Sequence, residues 1–523
     1  MSEVPAPDPA PTLTPRAAGA QAATDAFWLV ITAYLGQFLT LGLAFVLRKQ
    51  LGPAGMGFVA ITTLVASYAP YASLGAAQAA EREISIAIGR GDEREAESLE
   101  AAGSAACLLF GLVAAAALAA FALVRWSGDA LLGGTLMCGA TVLLLQQVGV
   151  WATFRMRTRY RFRTIGWVSA FSAVMVASLN VAGAALGGTT GTLIAVTIGS
   201  ILTAILFAYI AGLRRISIHS REVVRRLAVL APGFLASGAT MVLLGSVDQL
   251  AVTFLMGTTS LGLYSAAYLG YNFVTRVPAL IGSVIYPRLQ RRLGASDDKR
   301  AVFGMASRTT AMVVVMMPAM VAVFYVALPA LVYLLLPEFR PAVDPMRLLL
   351  LGLIGMSFGM PAIQYLISVN RQWLQVAITV VFLAAMAGTY VAAAAAGHMS
   401  LLVAAVVDVL GYYAYGITMQ VAAHRIAGVP VRAVLSYMPI HVLSALVLVA
   451  AAAASNALFE GGGAVGVIFG AACQAAVFAV AWIGLAAWFM RSHSGSRDDF
   501  MILLRLVVEG LARIRRFRRA LIT

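Results

Sequence analysis

The sequence predicts an all-α polytopic membrane protein of about 14 transmembrane helices, arranged as two six-helix lobes plus two extra helices. Three observations predict this fold class: the hydropathy, the distribution of basic residues and an internal repeat. Of the 523 residues, 61% are hydrophobic and 11% are charged, and the mean hydropathy is +0.89. In soluble globular domains these fractions are about half and about a quarter. The composition therefore excludes an ordinary soluble protein.

The hydrophobic runs are long enough to cross a bilayer, which takes about 20 apolar residues in a helix. Residues 1–25 precede the first run and are polar and proline-rich, so we expect a disordered cytoplasmic tail there. The predicted spans are 27–47, 58–80, 103–124, 130–152, 165–186, 190–212, 229–256, 261–286, 304–327, 346–368, 374–396, 400–423, 435–456 and 464–489.

The basic residues lie mostly on one side of these spans. If the N-terminus is inside, the inside segments carry 30 of the 37 Lys and Arg residues and the outside segments carry four. This bias follows the positive-inside rule and places both termini in the cytoplasm. The net charge of +15 is therefore interpreted as a topology signal, and no nucleic-acid partner is expected.

Two segments recur at one offset of 205 residues. Residues 51–58 (LGPAGMGF) match 256–263 (MGTTSLGL), and residues 88–96 (IGRGDEREA) match 293–301 (LGASDDKRA). Duplicated units are common among membrane transporters. Each unit contains an even number of spans, so both copies have the same orientation in the membrane. The glycines of the first match are expected to allow a tight outside turn through positive φ.

The repeat divides the chain into units. The predicted boundaries are 26–228 for the N-lobe, 229–424 for the C-lobe, 425–490 for the two extra helices and 491–523 for a basic tail. In the tail, basic and apolar residues alternate at roughly helical spacing. This pattern predicts an amphipathic helix on the anionic lipids of the cytoplasmic leaflet.

Charged residues at membrane depth are candidates for function. Arg276 lies near the middle of the eighth predicted span, and Asn272 and Tyr268 precede it at intervals of four residues. This spacing puts the three side chains on one helix face. We expect that face to line a substrate cavity, and Gln37 of the first span is a further cavity candidate.

Asp248 and Asp408 are the acids that lie well inside predicted spans. Either could bind a proton or a sodium ion, and either could instead be hydrated through an outer vestibule. Arg48, at the outer end of the first span, is interpreted as an anchor at the membrane interface.

No catalytic or metal-binding motif is present in the sequence. There is no Walker loop, no HExxH motif and no pair of cavity carboxylates, and the five histidines and three cysteines are scattered. We therefore expect neither enzymatic activity nor a metal or other cofactor.

Several short segments, taken in order, resemble the polysaccharide-transporter flippases. These segments are 48–57 (RKQLGPAGMG), 247–250 (VDQL), 261–268 (LGLYSAAY), 286–289 (YPRL) and 336–339 (LPEF). The resemblance extends over 16–423 and is strongest over 240–370. These flippases belong to the MOP superfamily, together with the MATE multidrug exporters and the lipid II flippases.

The resemblance implies two six-helix lobes in a V around a central cavity. It also implies an inner-membrane flippase that moves undecaprenyl-pyrophosphate-linked oligosaccharide for O-antigen, capsule or exopolysaccharide synthesis. The implied partners are this lipid-linked oligosaccharide, glycosyltransferases and a polymerase. A cationic cavity would suit the pyrophosphate, and Arg276 is placed at that contact.

Two relatives remain alternatives. Many MATE exporters of cationic drugs use an acid in the first lobe, whereas the first six spans here contain no acid at depth. Lipid II flippases typically have more arginines in the first two helices, where this chain has only Arg48 at the rim.

Overall fold

A computed structural model describes residues 15–159, 161–212, 221–275, 299–461 and 463–492, and all regular structure within these ranges is helical. The helices are α1 (Pro15–Tyr68), α2 (Ala76–Gly89), α3 (Glu93–Trp126), α4 (Ala130–Thr158), α5 (Phe162–Ala211), α6 (Arg221–Leu244), α7 (Val247–Met256), α8 (Thr258–Val274), α9 (Lys299–Leu335), α10 (Val343–Ser368), α11 (Gln372–Ala395), α12 (Leu401–Ala427), α13 (Arg432–Leu435), α14 (Met438–Gly461) and α15 (Gly463–Ser492). Two 3₁₀ turns, Ala69–Tyr71 and Pro337–Ala342, connect some of them.

The helices confirm the predicted all-α membrane fold. Among the described residues, 11 helices are long and apolar enough to cross a membrane. Two of these, α1 and α5, each join two predicted spans through a glycine with non-helical backbone, at Gly52 and at Gly187–Gly188. The eighth predicted span is represented by α8, which is followed by residues outside the described ranges. The basic tail 491–523 also lies outside them, apart from its first two residues.

The predicted disordered tail is shorter than expected. Helix α1 begins at Pro15, so residues 15–25 are helical where the sequence analysis predicted disorder. Proline is favoured in the first turn of a helix, and the alanines that follow have the highest helix propensity. These two preferences outweigh the polar composition on which the prediction relied. Residues 1–14 lie outside the described ranges.

The second predicted span, 58–80, is broken. Helix α1 ends at Tyr68, the 3₁₀ turn Ala69–Tyr71 follows, and α2 starts at Ala76. Pro70 lies in this turn, where it cannot donate a backbone hydrogen bond. Two side chains donate hydrogen bonds to the carbonyls that the break releases: Gln147 Nε2 donates to Ala69 O at 2.8 Å, and Gln78 Nε2 donates to Pro70 O at 3.3 Å.

The seventh predicted span, 229–256, is also broken. It divides into α6 and α7 at Gly245 and Ser246. Ser246 has the non-helical angles φ −141° and ψ 4° and precedes the first turn of α7. The hydropathy of the segment is continuous across this point, so a pattern based on apolar length could not locate the break.

The two copies of the glycine segment adopt the same backbone conformation. Gly52 has φ 62° and ψ −177°, and Gly257, its counterpart 205 residues later, has φ 87° and ψ 176°. This region of backbone conformation is essentially restricted to glycine. The expected positive φ is therefore present in both copies, and each glycine starts a new helical direction.

These two segments also pack against each other, forming a contact we call the glycine seam (residues 52–57 and 257–262). A Cβ on Gly57 would lie 2.0 Å from the Thr258 carbonyl oxygen, and a Cβ on Gly262 would lie 1.8 Å from the Pro53 carbonyl oxygen. At the repeat offset of 205 residues, Thr258 is the counterpart of Pro53 and Gly262 is the counterpart of Gly57. The two contacts are therefore equivalent under exchange of the halves. Small residues allow helices in membranes to approach this closely.

Ion pairs tie together the helix ends that are predicted to face the cytoplasm. Arg226 of α6 pairs with Glu83 of α2 and, at 2.6 Å, with Glu95 of α3. Arg155 of α4 pairs with Glu100 of α3. Glu83 and Glu100 are both nearly buried, so these pairs are better protected from solvent screening than exposed ones. The two pairs made by Arg226 hold the start of α6 against α2 and α3 of the first lobe.

We predict that Gly57→Ala destabilises the protein because its new methyl group would collide with the Thr258 carbonyl. The expected loss in free energy of unfolding is about 1–3 kcal/mol, measured by denaturant unfolding of the purified protein in detergent. Gly42→Ala is the matched control, since Gly42 lies on the same helix and a Cβ there meets nothing within 4 Å. Equal stability of the two variants would contradict the close approach at the seam.

Candidate functional site

The two acids singled out in the sequence meet in one cluster. Tyr264 O–H lies 2.8 Å from Asp248 Oδ2 and 3.1 Å from Asp408 Oδ2. Both aspartates are fully buried. Because these residues are 160 positions apart, nothing local in the sequence indicates that they meet.

Two further tyrosines complete the acid cluster, which consists of Asp248, Asp408, Tyr264, Tyr268 and Tyr390. Tyr268 O–H donates to Asp248 Oδ2 at 2.6 Å, and Tyr390 O–H donates to Asp408 Oδ1 at 2.6 Å. Hydrogen bonds of this length are typical of O–H donors to charged oxygens. The cluster therefore contains two carboxyl groups and three phenol donors in surroundings that exclude solvent.

The break before α7 explains how Asp248 reaches this position. The break puts Asp248 in the first turn of α7, where backbone N–H groups have no intrahelical partners and the helix dipole favours an anion. Tyr264 and Tyr268 are four residues apart on α8, so both hydroxyls reach the same acid. Tyr390 comes from α11 and Asp408 from α12. Four elements of the second lobe thus converge on the cluster.

Contacts between the lobes lie next to this cluster. The hydroxyls of Tyr68, at the end of the first arm of the broken second span, and Ser246, at the break before α7, are 2.6 Å apart. Arg48 donates to the Ser265 carbonyl at 2.9 Å, across from α1 to α8. Arg48 is only 7% exposed, so its interpretation as an interface anchor is wrong. It bridges the lobes because its hydrogen-bond acceptors are backbone carbonyls of buried helices.

The structure separates Tyr268 from the predicted cavity residues Asn272 and Gln37. Tyr268 is buried in the acid cluster, whereas the Asn272 side chain is exposed one turn later. Gln37 is half-buried and donates through Nε2 to the Asn272 carbonyl at 2.9 Å. Arg276 lies outside the described residues, so its role as a pyrophosphate contact stays a prediction. Gln37 and Asn272 are thus brought together between α1 and α8.

Sequence reasoning missed several members of the site. Tyr264 shares the four-residue spacing of Tyr268 and could have been found from it. Tyr390 stands alone in an alanine-rich helix, and neither Tyr68 nor Ser246 carries a sequence signal for a contact that spans 178 residues. Among the described residues, no group of three or more His, Cys, Asp or Glu side chains could hold a metal ion.

A comparison with protein families identifies one match, described as "Polysaccharide biosynthesis protein", over residues 46–344. This range is more than half of the chain and includes both halves of the glycine seam. No curated protein matches the sequence.

Solved structures with the same fold are MOP-superfamily transporters. An inward-facing multidrug resistance MATE transporter aligns with a TM-score of 0.59 and 14% identity, covering 75% of this chain and 94% of its own. The outward-facing form of a multidrug resistance MATE transporter aligns at 0.55 and 14%, covering 78% and 96%. A Vibrio cholerae MATE transporter aligns at 0.53 and 15%, covering 78% and 98%. At these identities the likeness defines the fold alone.

We predict that Tyr264→Phe lowers the free energy of unfolding by about 1–3 kcal/mol, because it removes a hydroxyl that contacts two buried carboxyl groups and donates to one of them. The measurement is denaturant unfolding in detergent, as for the seam variant. Tyr365→Phe is the control, since Tyr365 is equally buried but its hydroxyl has no hydrogen-bond partner. A Tyr264→Phe variant as stable as Tyr365→Phe would contradict the arrangement of the cluster.

Proposed function

This chain belongs to the polysaccharide biosynthesis protein family, and from that premise we propose that it is a flippase for lipid-linked oligosaccharide. The proposed substrate is undecaprenyl-pyrophosphate-linked, and the proposed site of action is the bacterial inner membrane, with both chain termini in the cytoplasm. The family match is the observation that carries the proposal. It is supported by the transporter fold and by the duplicated lobes, which share one orientation.

Alternating access follows from the way the lobes meet. The glycine seam holds α1 against α8 at the ends predicted to lie outside, so release of a substrate on that side requires the seam to part. Backbone contacts between small residues have little side-chain entropy to lose on re-forming. The seam therefore suits an interface that opens and closes in each transport cycle.

The acid cluster is proposed to couple transport to a cation, either a proton or a sodium ion. A tyrosine hydroxyl has one proton, so Tyr264 can donate to only one of the two carboxyl groups at a time. Its contact with the other is a hydrogen bond only if that carboxyl carries a proton of its own. Hydrogen-bond accounting thus favours one bound proton, and a bound sodium ion would require the tyrosine oxygens to turn toward it.

Binding of a cation to the acid cluster can affect the contact between the lobes through one short path. Asp248 is two residues from Ser246, and Ser246 touches Tyr68 of the first lobe. A change in the charge of the cluster would therefore act on the break between α6 and α7, and from there on the lobe contact. This is the route by which we expect an ion gradient to bias opening.

Export of cationic drugs is the second candidate, because the solved structures of this fold include multidrug transporters. A cationic substrate needs an acid that faces the cavity. In the described part of the chain, the acids at membrane depth are both buried and hydrogen-bonded to tyrosines, and Glu81, which lines the first-lobe cavity, is paired with Arg157 at 3.9 Å. The oligosaccharide substrate is therefore preferred, with a lipid II-type substrate as a further alternative.

The proposed function predicts that loss of the chain abolishes surface polysaccharide while its lipid-linked precursor accumulates in the inner leaflet. The measurement compares surface polysaccharide and extracted lipid-linked oligosaccharide in the host with and without the gene, and with the gene restored. Normal polysaccharide in the strain lacking the gene would contradict the proposal. If the strain lacking the gene instead lost lipid II flipping, a lipid II flippase would be favoured, and if it lost drug resistance, a drug exporter would be favoured.

Ion coupling predicts that Asp248→Asn and Asp408→Asn each reduce the dependence of flipping on an imposed proton or sodium gradient by about tenfold or more. Flipping is measured in proteoliposomes with the gradient of each ion set separately. Asp344→Asn is the control, because this acid lies on α10 with its side chain 72% exposed. Unchanged gradient dependence in both cluster variants would exclude coupling through the cluster.

A further inference from the structure

We propose that a cavity inside the first lobe is a binding subsite for neutral, polyhydroxylated sugar, a proposal that rests on the transport function above. The cavity has a volume of about 600 Å³ and is lined by residues of α1, α2, α4, α5 and the 3₁₀ turn Ala69–Tyr71. Ligand-binding cavities typically measure about 300–1,000 Å³. It is therefore large enough for one or more sugar residues.

The chemistry of the wall selects against charged ligands. Two charged residues line the cavity, Glu81 and Arg157, and they face each other at 3.9 Å. Most of the other polar lining residues are hydroxyls and amides contributed by several helices, among them Thr62, Gln78, Gln146, Ser172, Asn180 and Ser200. Such a wall offers many neutral donors and acceptors and no net charge, which matches a sugar and not a cationic drug or a pyrophosphate.

Several of these polar atoms lack a partner within the protein. Buried atoms without a hydrogen bond include Gln78 Oε1, Ser172 Oγ, Asn180 Oδ1 and Thr203 Oγ1, all on residues that line the cavity. Ser172 is 5% exposed. An unsatisfied buried polar group costs about 1–3 kcal/mol. Sugar hydroxyls can both donate and accept, so a sugar in the cavity could pair with such groups when their side chains rotate toward it.

The cavity also borders the break in the second predicted span. Pro70 and Gln78 line it, and they are the residues that form and stabilise the break. In transporters, interrupted helices mark the substrate site, and the cavity lies beside this interruption.

Lipid chains and water are the other possible occupants. The wall carries apolar as well as polar side chains, but an acyl chain would leave the orphan polar atoms without a partner, which disfavours it. Water could satisfy them singly, but four separated groups on α2 and α5 suit one rigid ligand with several hydroxyls. We therefore assign the cavity to the sugar portion of the transported molecule, apart from the acid cluster in the second lobe.

Site-specific photo-crosslinking tests this assignment in the full-length chain. The photoreactive residue p-benzoylphenylalanine replaces Ser200 or, in a second variant, Gln146, which lie on different walls of the cavity. Cells that make the polysaccharide are grown on [¹⁴C]glucose and irradiated. Adducts are purified on the protein and treated with periodate, which oxidises vicinal diols of sugars. The matched control replaces Ile205, which is on the same helix as Ser200 but 59% exposed.

We expect radiolabelled, periodate-sensitive adducts at Ser200 and Gln146, at least fivefold above those at Ile205. Adducts that carry label but resist periodate would indicate lipid in the cavity and overturn the proposal. The proposal would also be overturned if both cavity variants still exported polysaccharide but gave no more adducts than the Ile205 variant. If export does not depend on the chain at all, the transport function fails first, and the gene-loss experiment reveals this separately.

Discussion

The structure depends on one requirement of the bilayer: a helix that crosses it has no water to satisfy its backbone groups. A break in a membrane helix therefore persists only where side chains take up the carbonyls it releases. The protein has two such breaks in its described spans. At Pro70, the side chains of Gln78 and Gln147 donate hydrogen bonds to the released carbonyls. At Gly245, the Tyr268 hydroxyl lies 3.2 Å from the carbonyl oxygen and 2.6 Å from Asp248 Oδ2, and its single proton can be donated to one of them at a time. Two of the residues at the breaks, Gln78 and Tyr268, thus also belong to the two candidate sites.

The two lobes share a frame and differ in chemistry. The first lobe has a cavity lined by apolar and uncharged polar side chains and one Glu–Arg pair, and the second encloses two carboxyl groups held by tyrosines. These sites are connected by the pair Tyr68–Ser246, which joins the break in one lobe to the break in the other. Binding of a sugar on one side and of a cation on the other would both bear on this contact. A transporter needs such a shared element, because each ligand can shift a conformational equilibrium only through differential contacts.

The architecture was readable from the sequence because its signals are local. Apolar length located the spans, and Gly52 and Gly257 revealed the repeat. Asp248 and Asp408 were identified as unusual because acids at membrane depth are costly. Their pairing was not readable, since it depends on how α7 and α12 pack. Arg48 was misinterpreted for the same reason: its position near a helix end suggested the interface, while its acceptors on α8 are defined only by the tertiary contact. The break at Gly245 left no trace in hydropathy.

The glycine seam has the symmetry of a dimer. Each half presents the same glycine to the same carbonyl of the other, which is the isologous contact formed by two identical subunits related by a twofold axis. A single six-helix unit with this segment contains everything needed to form the seam with a second copy of itself. In such a dimer, every substitution would alter both sides at once. Fusion into one chain removes that restriction, so the seam can be preserved in both halves while one lobe acquires acids and the other a neutral cavity.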